Sequence, residues 1–108
     1  METLRRKSLW RRAFTHEVVN MRLKDKVTVV TGAGRGIGLG IALAFARKGA
    51  RVALCDIDTL LLGNALVEID AAGGQGLAFQ MDVTSKEQIH RVVHDVLDQW
   101  GAIDILVN

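Results

Sequence analysis

The chain has 108 residues, of which 49% are hydrophobic and 24% are charged, and it contains no proline. These values are typical of a globular protein and exclude a wholly disordered or fibrous chain, while the length allows one domain or part of one. No apolar run approaches the ~18 residues that a membrane-spanning helix needs. The single cysteine, Cys55, excludes an internal disulfide and a cysteine zinc cage, and it fits a reducing compartment such as the cytoplasm.

The basic residues are concentrated in an N-terminal arm. Residues 1–24 carry seven basic and two acidic side chains, whereas residues 25–108 carry seven basic and ten acidic ones. We predict that this arm is a disordered extension, with Met21 as a natural start for the domain that follows. Two less favoured alternatives remain open. The arm could form an amphipathic helix around Trp10 for a membrane surface or organelle targeting, or it could bind nucleic acid.

The first predicted elements are a strand, a helix and a second strand. The β-branched run at 26–31 predicts a buried strand that ends at Gly32. Residues 37–48 predict a helix, and 51–56 predict the second strand. The apolar face of this helix is expected to contain Ile37, Ile41, Ala44 and Phe45.

A second helix, a third strand, a third helix and a fourth strand follow. The second helix is expected to be capped by Asp58 or Thr59 and to bury Leu62, Leu66 and Ile69. The strands are predicted at 76–82 and 102–108, on either side of a helix that ends at Gly101. For the third helix, Thr84 and Glu87 have capping-box spacing. Its apolar stripe is expected to contain Ile89, Val92, Val93, Val96, Leu97 and Trp100.

This alternation of strands and helices predicts an α/β fold with a parallel sheet and right-handed crossovers. The segment TGAGRGIG at 31–38 joins the first strand to the first helix. Glycine at such a turn permits a positive φ, close approach of a pyrophosphate and close packing of helix on strand. No Gly-Lys-Ser/Thr follows in this segment, which disfavours a nucleoside triphosphate P-loop.

Asp56 ends the second strand, 18 residues after Gly38. That spacing is close to the ~20 residues expected for a carboxylate that binds the adenosine ribose of a dinucleotide. The carboxylate would repel a 2′-phosphate and so favours NAD over NADP, whereas Arg35 argues weakly for NADP. The alternative for Asp56 is a helix N-cap or a turn acid.

The spacing Thr-Gly-x-x-x-Gly-x-Gly resembles the short-chain dehydrogenase/reductase family. Two further segments resemble it: the pair Asp82 and Val83, and DILVN at 104–108. The resemblance as a whole covers residues 21–108. The resemblance implies the N-terminal part of a Rossmann-like, doubly wound sheet with strand order 3-2-1-4, occupying residues 25–108. It also implies a pyrophosphate turn formed by Gly32, Arg35, Gly36, Ile37 and Gly38. The remaining implied contacts are ribose at Asp56, adenine at Asp82 and Val83, and the ribose-nicotinamide side at Asn108.

The resemblance also implies an NAD(P)-dependent oxidoreductase that interconverts an alcohol and a carbonyl, with a homo-oligomeric full-length parent. The catalytic Ser and Tyr-x-x-x-Lys of similar proteins would lie beyond Asn108, and this chain contains no tyrosine. We therefore expect the 108-residue chain to be an inactive, incomplete fold that ends after its fourth strand and exposes an apolar edge. Such a chain is expected to be marginally stable, to aggregate or to depend on a partner. The alternative function is a non-catalytic dinucleotide-binding or sensing module.

Other residues with chemical potential are predicted to be structural. His90 and His94 are four residues apart on the third helix, but they fall away from the apolar stripe and lack a metalloprotease glutamate. We predict that they lie on a solvated face and bind no metal. Cys55 lies among apolar neighbours in the second strand and is predicted to be a core residue, not a nucleophile.

Overall fold

The computed structural model describes residues 22–108, so the predictions for the arm that concern residues 1–21 lie outside the described residues. Three helices alternate with four strands in this part of the chain. The elements are β1 (Val27–Thr31), α1 (Gly36–Arg47), β2 (Arg51–Asp56), α2 (Thr59–Ala71), β3 (Gln75–Gln80), α3 (Lys86–Trp100) and β4 (Ile105–Val107). Within the described residues, no helix is both long and apolar enough to cross a bilayer.

The four strands form one parallel sheet in the order β3-β2-β1-β4, which confirms the predicted fold class. Val30 of β1 pairs with Leu54 of β2 on one side and with Val107 of β4 on the other. The strand order therefore reverses at β1. In open α/β sheets, ligands bind outside the carboxyl ends of the strands at such a reversal.

Each face of the sheet has its own apolar core. Alternate residues of a strand point to opposite faces, so neighbouring positions in β1 and β2 contribute to different cores. The core beneath α1 and α2 includes Val30, Val52, Leu54, Leu62 and Ile69. The core beneath α3 includes Val27, Val29, Cys55, Val92 and Val96.

The apolar face predicted for α1 is largely wrong. Ile37 is 83% exposed, and the buried positions of this helix are Ala42 and Ala46. Of the residues predicted for that face, only Phe45 packs against the core, beside Leu39 and Leu43. Residues 36–46 are apolar all round the helix, so their periodicity could not identify the side that packs on the sheet.

The start of α3 also differs from the prediction. Ser85, not Thr84, is the N-cap, and its Oγ accepts a hydrogen bond from the Gln88 amide at 3.3 Å. Thr84 instead turns back to Asp82, since its amide and hydroxyl both donate to Asp82 Oδ1. A Thr84 side chain can either cap α3 or form a hydrogen bond within the turn after β3. Here it bonds to Asp82 in that turn.

The apolar stripe of α3 is only partly covered. Val92 and Val96 are buried as predicted, and Ile89 and Trp100 pack beside them. Val93 and Leu97, on the flank of the same stripe, are 37% and 43% exposed. The described part of the chain therefore leaves an apolar strip of α3 in contact with water.

Thr28→Val is expected to stabilise the fold by about 1 kcal/mol, since a buried hydroxyl without a partner costs about 1–3 kcal/mol. Thr28 is fully buried in β1, and within residues 22–108 its Oγ1 has no hydrogen-bond partner. Valine has nearly the same shape and keeps the β-branch. Urea unfolding measures the effect, with Thr31→Val as the control because the Thr31 hydroxyl does donate a hydrogen bond. A Thr28→Val protein less stable than wild type contradicts this prediction.

Candidate functional site

The predicted site residues lie at the carboxyl ends of the strands. Gly32 follows β1, Asp56 ends β2, Asp82 follows β3 and Asn108 follows β4. Because all four strands are parallel, these ends meet at one edge of the sheet. The fold thus brings together segments that are up to 76 residues apart in the sequence.

The glycine-rich turn is closed tightly against itself. Gly32 and Gly36 have φ values of 62° and 61°, a backbone region in which most L-residues are strained. A Cβ added at Gly38 would overlap the carbonyl oxygen of Gly32 and would lie 2.8 Å from its carbonyl carbon. The Ala33 amide donates to the Cys55 carbonyl at 3.0 Å and ties the turn to β2. Glycine is therefore required here for both backbone conformation and close packing.

The turn leads directly into the N-terminus of α1. Arg35 occupies the N-cap position, and its side chain makes no capping hydrogen bond. The amides of the first turn of a helix have no partner within the helix and carry partial positive charge. Exposed Gly36 and Ile37 present this end of α1 to solvent, so the geometry suits an anion such as a phosphate.

The carboxylate of Asp56 is held by backbone amides on two sides. Gly34 donates to Oδ2 at 2.9 Å, and Asp58 donates to Oδ1 at 3.1 Å. Asp58 in turn caps α2 by accepting from the Leu61 amide at 3.1 Å. The N-cap alternative for Asp56 is therefore wrong, because Asp58 is the cap, whereas its role as a turn acid is present.

The surroundings of Asp56 keep its carboxylate ionised. Partial burial acts to raise its pKa, but the amides of Asp58, Gly34 and Ile57 and the guanidinium of Arg35 outweigh burial and lower the pKa below the ordinary aspartate value. Because the folded-state pKa is the lower one, this group stabilises the fold above its unfolded-state pKa. That contribution is lost as the pH falls through the folded-state pKa.

Asp82 and Val83 form the turn after β3. Asp82 Oδ1 accepts from the Thr84 hydroxyl at 2.7 Å and from the Thr84 amide at 2.9 Å. These two hydrogen bonds lower the pKa of the Asp82 carboxyl. The Asp82 amide donates to Gln88 Oε1 at 2.8 Å, which joins the turn to α3. The exposed side chain of Val83 lies at the edge of a groove shared with Thr31 and Asn108.

Asn108 lies beside the glycine-rich turn. The Thr31 hydroxyl donates to Asn108 Oδ1 at 2.7 Å and links the end of β1 to the end of β4. Sequence reasoning missed this role of Thr31, as well as the amides of Gly34 and Asp58. A polar residue ending an apolar strand and an Asp-x-Asp turn were the available signals.

Cys55 and the two histidines are not part of this arrangement. Cys55 is fully buried, and burial, followed by the charge of Asp56, raises the pKa of its thiol to about 12. His94 lies 3.5 Å from Asp98 on the exposed face of α3. Among residues 22–108, no three His, Cys, Asp or Glu side chains are grouped as metal ligands. Because its pKa is raised to about 12, the Cys55 thiol is protonated at neutral pH.

The strand order, the glycine-rich turn and the acidic end of β2 define a Rossmann-like α/β protein. The sequence model of the family described as short chain dehydrogenase matches residues 26–108. The chain belongs to this family.

Two curated relatives are similar to the chain over the same region. The sorbitol dehydrogenase of Cereibacter sphaeroides is 46% identical over 88 residues, which are 82% of this chain and 33% of that protein. The galactitol 2-dehydrogenase of Agrobacterium fabrum is 49% identical over 88 residues, with the same two coverages of 82% and 33%. The chain thus spans about a third of the length of these relatives.

Solved structures show the same likeness. The hydroxysteroid dehydrogenase from Escherichia coli has a TM-score of 0.79 and 39% identity, covering 82% of this chain and 38% of that one. An NAD⁺-bound xylitol dehydrogenase has a TM-score of 0.76 and 36% identity, covering 79% of this chain and 33% of that one.

Proposed function

We propose that the chain is the cofactor-binding part of an NAD(P)-dependent oxidoreductase that interconverts an alcohol and a carbonyl, and that it prefers NAD. The observation that carries this proposal is the ionised carboxylate of Asp56, held by the amides of Gly34 and Asp58 next to the glycine-rich turn. Ribose hydroxyls are hydrogen-bond donors and suit a preoriented carboxylate, which keeps free lone pairs for them.

The residues at the sheet edge fit a dinucleotide. The close contact of Gly38 with Gly32 leaves bare backbone at the turn, which a pyrophosphate can approach, and the turn leads directly into the N-terminus of α1. In the proposed site, Gly32, Arg35, Gly36, Ile37 and Gly38 hold the pyrophosphate and Asp56 holds the adenosine ribose. Asp82 and Val83 lie beside the adenine, and Asn108 lies toward the nicotinamide ribose. A bound nicotinamide supplies hydride transfer, a reaction that no side chain performs alone.

The preference for NAD follows from charge. A 2′-phosphate beside the ribose would meet the negative carboxylate of Asp56, and the repulsion between these like charges costs binding energy. Arg35 lies close enough to lower the pKa of Asp56, so part of its positive charge is already offset by that carboxylate. The NAD⁺-bound state of the similar xylitol dehydrogenase supports a nicotinamide cofactor.

The proposed substrate class follows from the relatives. Their names specify sorbitol, galactitol and a hydroxysteroid, all of which carry alcohol groups, and this supports an alcohol as the substrate of the whole protein. In similar proteins a tyrosine moves the proton during the reaction, and these 108 residues contain none. We therefore assign cofactor binding, and not proton transfer, to this part of the protein.

Titration of the chain with NAD and with NADP tests the cofactor assignment. Wild type is expected to bind NAD more tightly, and Asp56→Ala is expected to lose about tenfold in NAD affinity because hydrogen bonds to a charged group are lost. The same substitution should narrow the difference between the affinity for NAD and the affinity for NADP. Tryptophan fluorescence, at protein concentrations below those that favour association between copies, measures both affinities.

Asp58→Asn is the matched control, because asparagine keeps both the capping oxygen for α2 and the backbone amide that meets Asp56. This variant is expected to bind NAD as wild type does, because both hydrogen bonds are kept. Equal affinities of wild type and Asp56→Ala for NAD and for NADP would rule out the ribose role. A wild-type chain that is folded but binds neither cofactor at millimolar concentration would contradict the site itself.

A further inference from the structure

Gly34 is the one glycine of the turn whose conformation and packing are not explained by the turn itself. Gly32 and Gly36 have positive φ values, and Gly38 packs against Gly32, whereas Gly34 does not have a positive φ. Its surroundings are nevertheless crowded. A Cβ added there would lie 2.8 Å from the Cβ of Leu61 and 2.9 Å from Oδ2 of Asp56. Real Cβ atoms essentially never approach other atoms this closely.

Of the two groups that a Cβ at position 34 would contact, the Asp56 carboxylate can move and the Leu61 Cβ cannot. Leu61 belongs to the first turn of α2, where its amide is held by the Asp58 cap, and the contact involves its Cβ, which cannot rotate away. Asp56 can rotate about its side-chain torsions, because its carboxylate is the terminal group. A side chain at position 34 would therefore displace the Asp56 carboxylate, and it would also press the turn away from the fixed Leu61 Cβ.

The backbone amide of Gly34 acts on the same oxygen. It donates to Asp56 Oδ2 at 2.9 Å, so the residue that leaves room for the carboxylate also orients it. The opposite oxygen, Oδ1, is held by Asp58 in the same loop. The Gly34 amide from the glycine-rich turn and the Asp58 amide from the loop after β2 thus fix the orientation of the carboxylate.

We propose that Gly34 is the positioning residue that sets the preference for NAD, by orienting the Asp56 carboxylate with its amide and by leaving the space that the carboxylate occupies. This inference rests on the proposed ribose role of Asp56. In this proposal Gly34 does not contact the cofactor, because it acts through Asp56.

A double-mutant cycle between Gly34→Ala and Asp56→Ala tests the coupling. In the wild-type background, Gly34→Ala is expected to lower NAD affinity about tenfold and to change NADP affinity by less than about threefold. In the Asp56→Ala background, the same substitution is expected to lower NAD affinity by about threefold or less, because the carboxylate is absent and only the contact with Leu61 remains. Equal losses in the two backgrounds would overturn the proposal.

Gly40→Ala is the matched control on the first helix. A Cβ at Gly40 meets nothing within 4 Å, so this variant should bind NAD and NADP as wild type does. Failure of the proposed function is recognised separately. If Asp56 does not bind the ribose, Asp56→Ala keeps the wild-type affinities for NAD and NADP. If only the role of Gly34 is wrong, Asp56→Ala still loses NAD affinity.

Nuclear magnetic resonance gives a second readout that requires no ligand, and its first part uses the wild-type residue at position 34. In the wild-type chain, the amide proton of Gly34 is expected to shift with pH as the Asp56 carboxyl titrates, and this shift should vanish in Asp56→Asn. In Gly34→Ala, the pKa of the Asp56 carboxyl is expected to rise toward its ordinary value, since the displaced carboxylate loses the hydrogen bond from the amide of residue 34. A wild-type Gly34 amide that does not follow the Asp56 titration overturns the proposal even if Gly34→Ala fails to fold.

Discussion

Gly38→Ala is expected to lower NAD affinity by about a hundredfold or more and to destabilise the fold by about 1–3 kcal/mol. A Cβ at this position would overlap the carbonyl oxygen of Gly32, which is backbone and cannot rotate aside. The turn would have to open by about an ångström, and displacements of this size are costly where a ligand depends on close contact. The amides of the turn would then no longer be placed for a pyrophosphate.

Gly40→Ala provides the comparison for this prediction, because the same atom is added on the same helix two residues further on. It meets open space, and alanine is the better helix former by about 1 kcal/mol, so this variant should be slightly more stable than wild type and bind NAD normally. Urea unfolding and NAD titration of the two variants measure both effects. A Gly38→Ala protein with wild-type NAD affinity contradicts the role of the turn.

The 108-residue chain is expected to self-associate at concentrations of about 10–100 μM, because it exposes a continuous apolar groove. The groove lies between α3 and β4 and is lined by Val93 and Leu106 together with Ile89 and Ile103. Leu106 is 66% exposed, and within residues 22–108 β4 forms one edge of the sheet with unpaired backbone groups. Both the apolar side chains and the open edge favour contact between copies.

Sedimentation velocity over a range of concentrations measures this association. Replacing Val93 and Leu106 together by serine should shift the chain toward monomer, since it removes apolar area from the groove. Val67→Ser is the control, because Val67 is equally exposed at 66% but lies on α2, outside the groove. A wild-type chain that remains monomeric throughout, or a control that suppresses association as strongly as the groove variant, contradicts this prediction.

Several features of the fold could be predicted because their signals are local. The helix caps and apolar stripes involve residues three or four positions apart, and the stripe of α2 was therefore predicted correctly, with Leu62 and Ile69 buried and Asp58 as cap. The glycine-rich turn and the acid at the end of β2 were likewise recognisable from spacing and from resemblance. These patterns determine which element each segment forms.

The errors in α1 and α3 have a common physical reason. Residues 36–46 are apolar on every side, so only contact with the sheet selects Ala42 and Ala46 as the buried face. At the start of α3, both Thr84 and Ser85 can cap, and the turn at Asp82 selects Ser85 by engaging Thr84. Local sequence is ambiguous in both places, and packing resolves it.

The sequence by itself determined the α/β class, the order of the elements and the residue types at the edge of the sheet. Only the tertiary structure decided which of those residues meet. Gly34 reaches Asp56 across 22 positions and Thr31 reaches Asn108 across 77, and both pairs form because parallel strands bring their carboxyl ends to one edge. Contacts at such separations leave no periodic signal in the sequence, since they depend on strand pairing rather than on the repeat of a helix or strand.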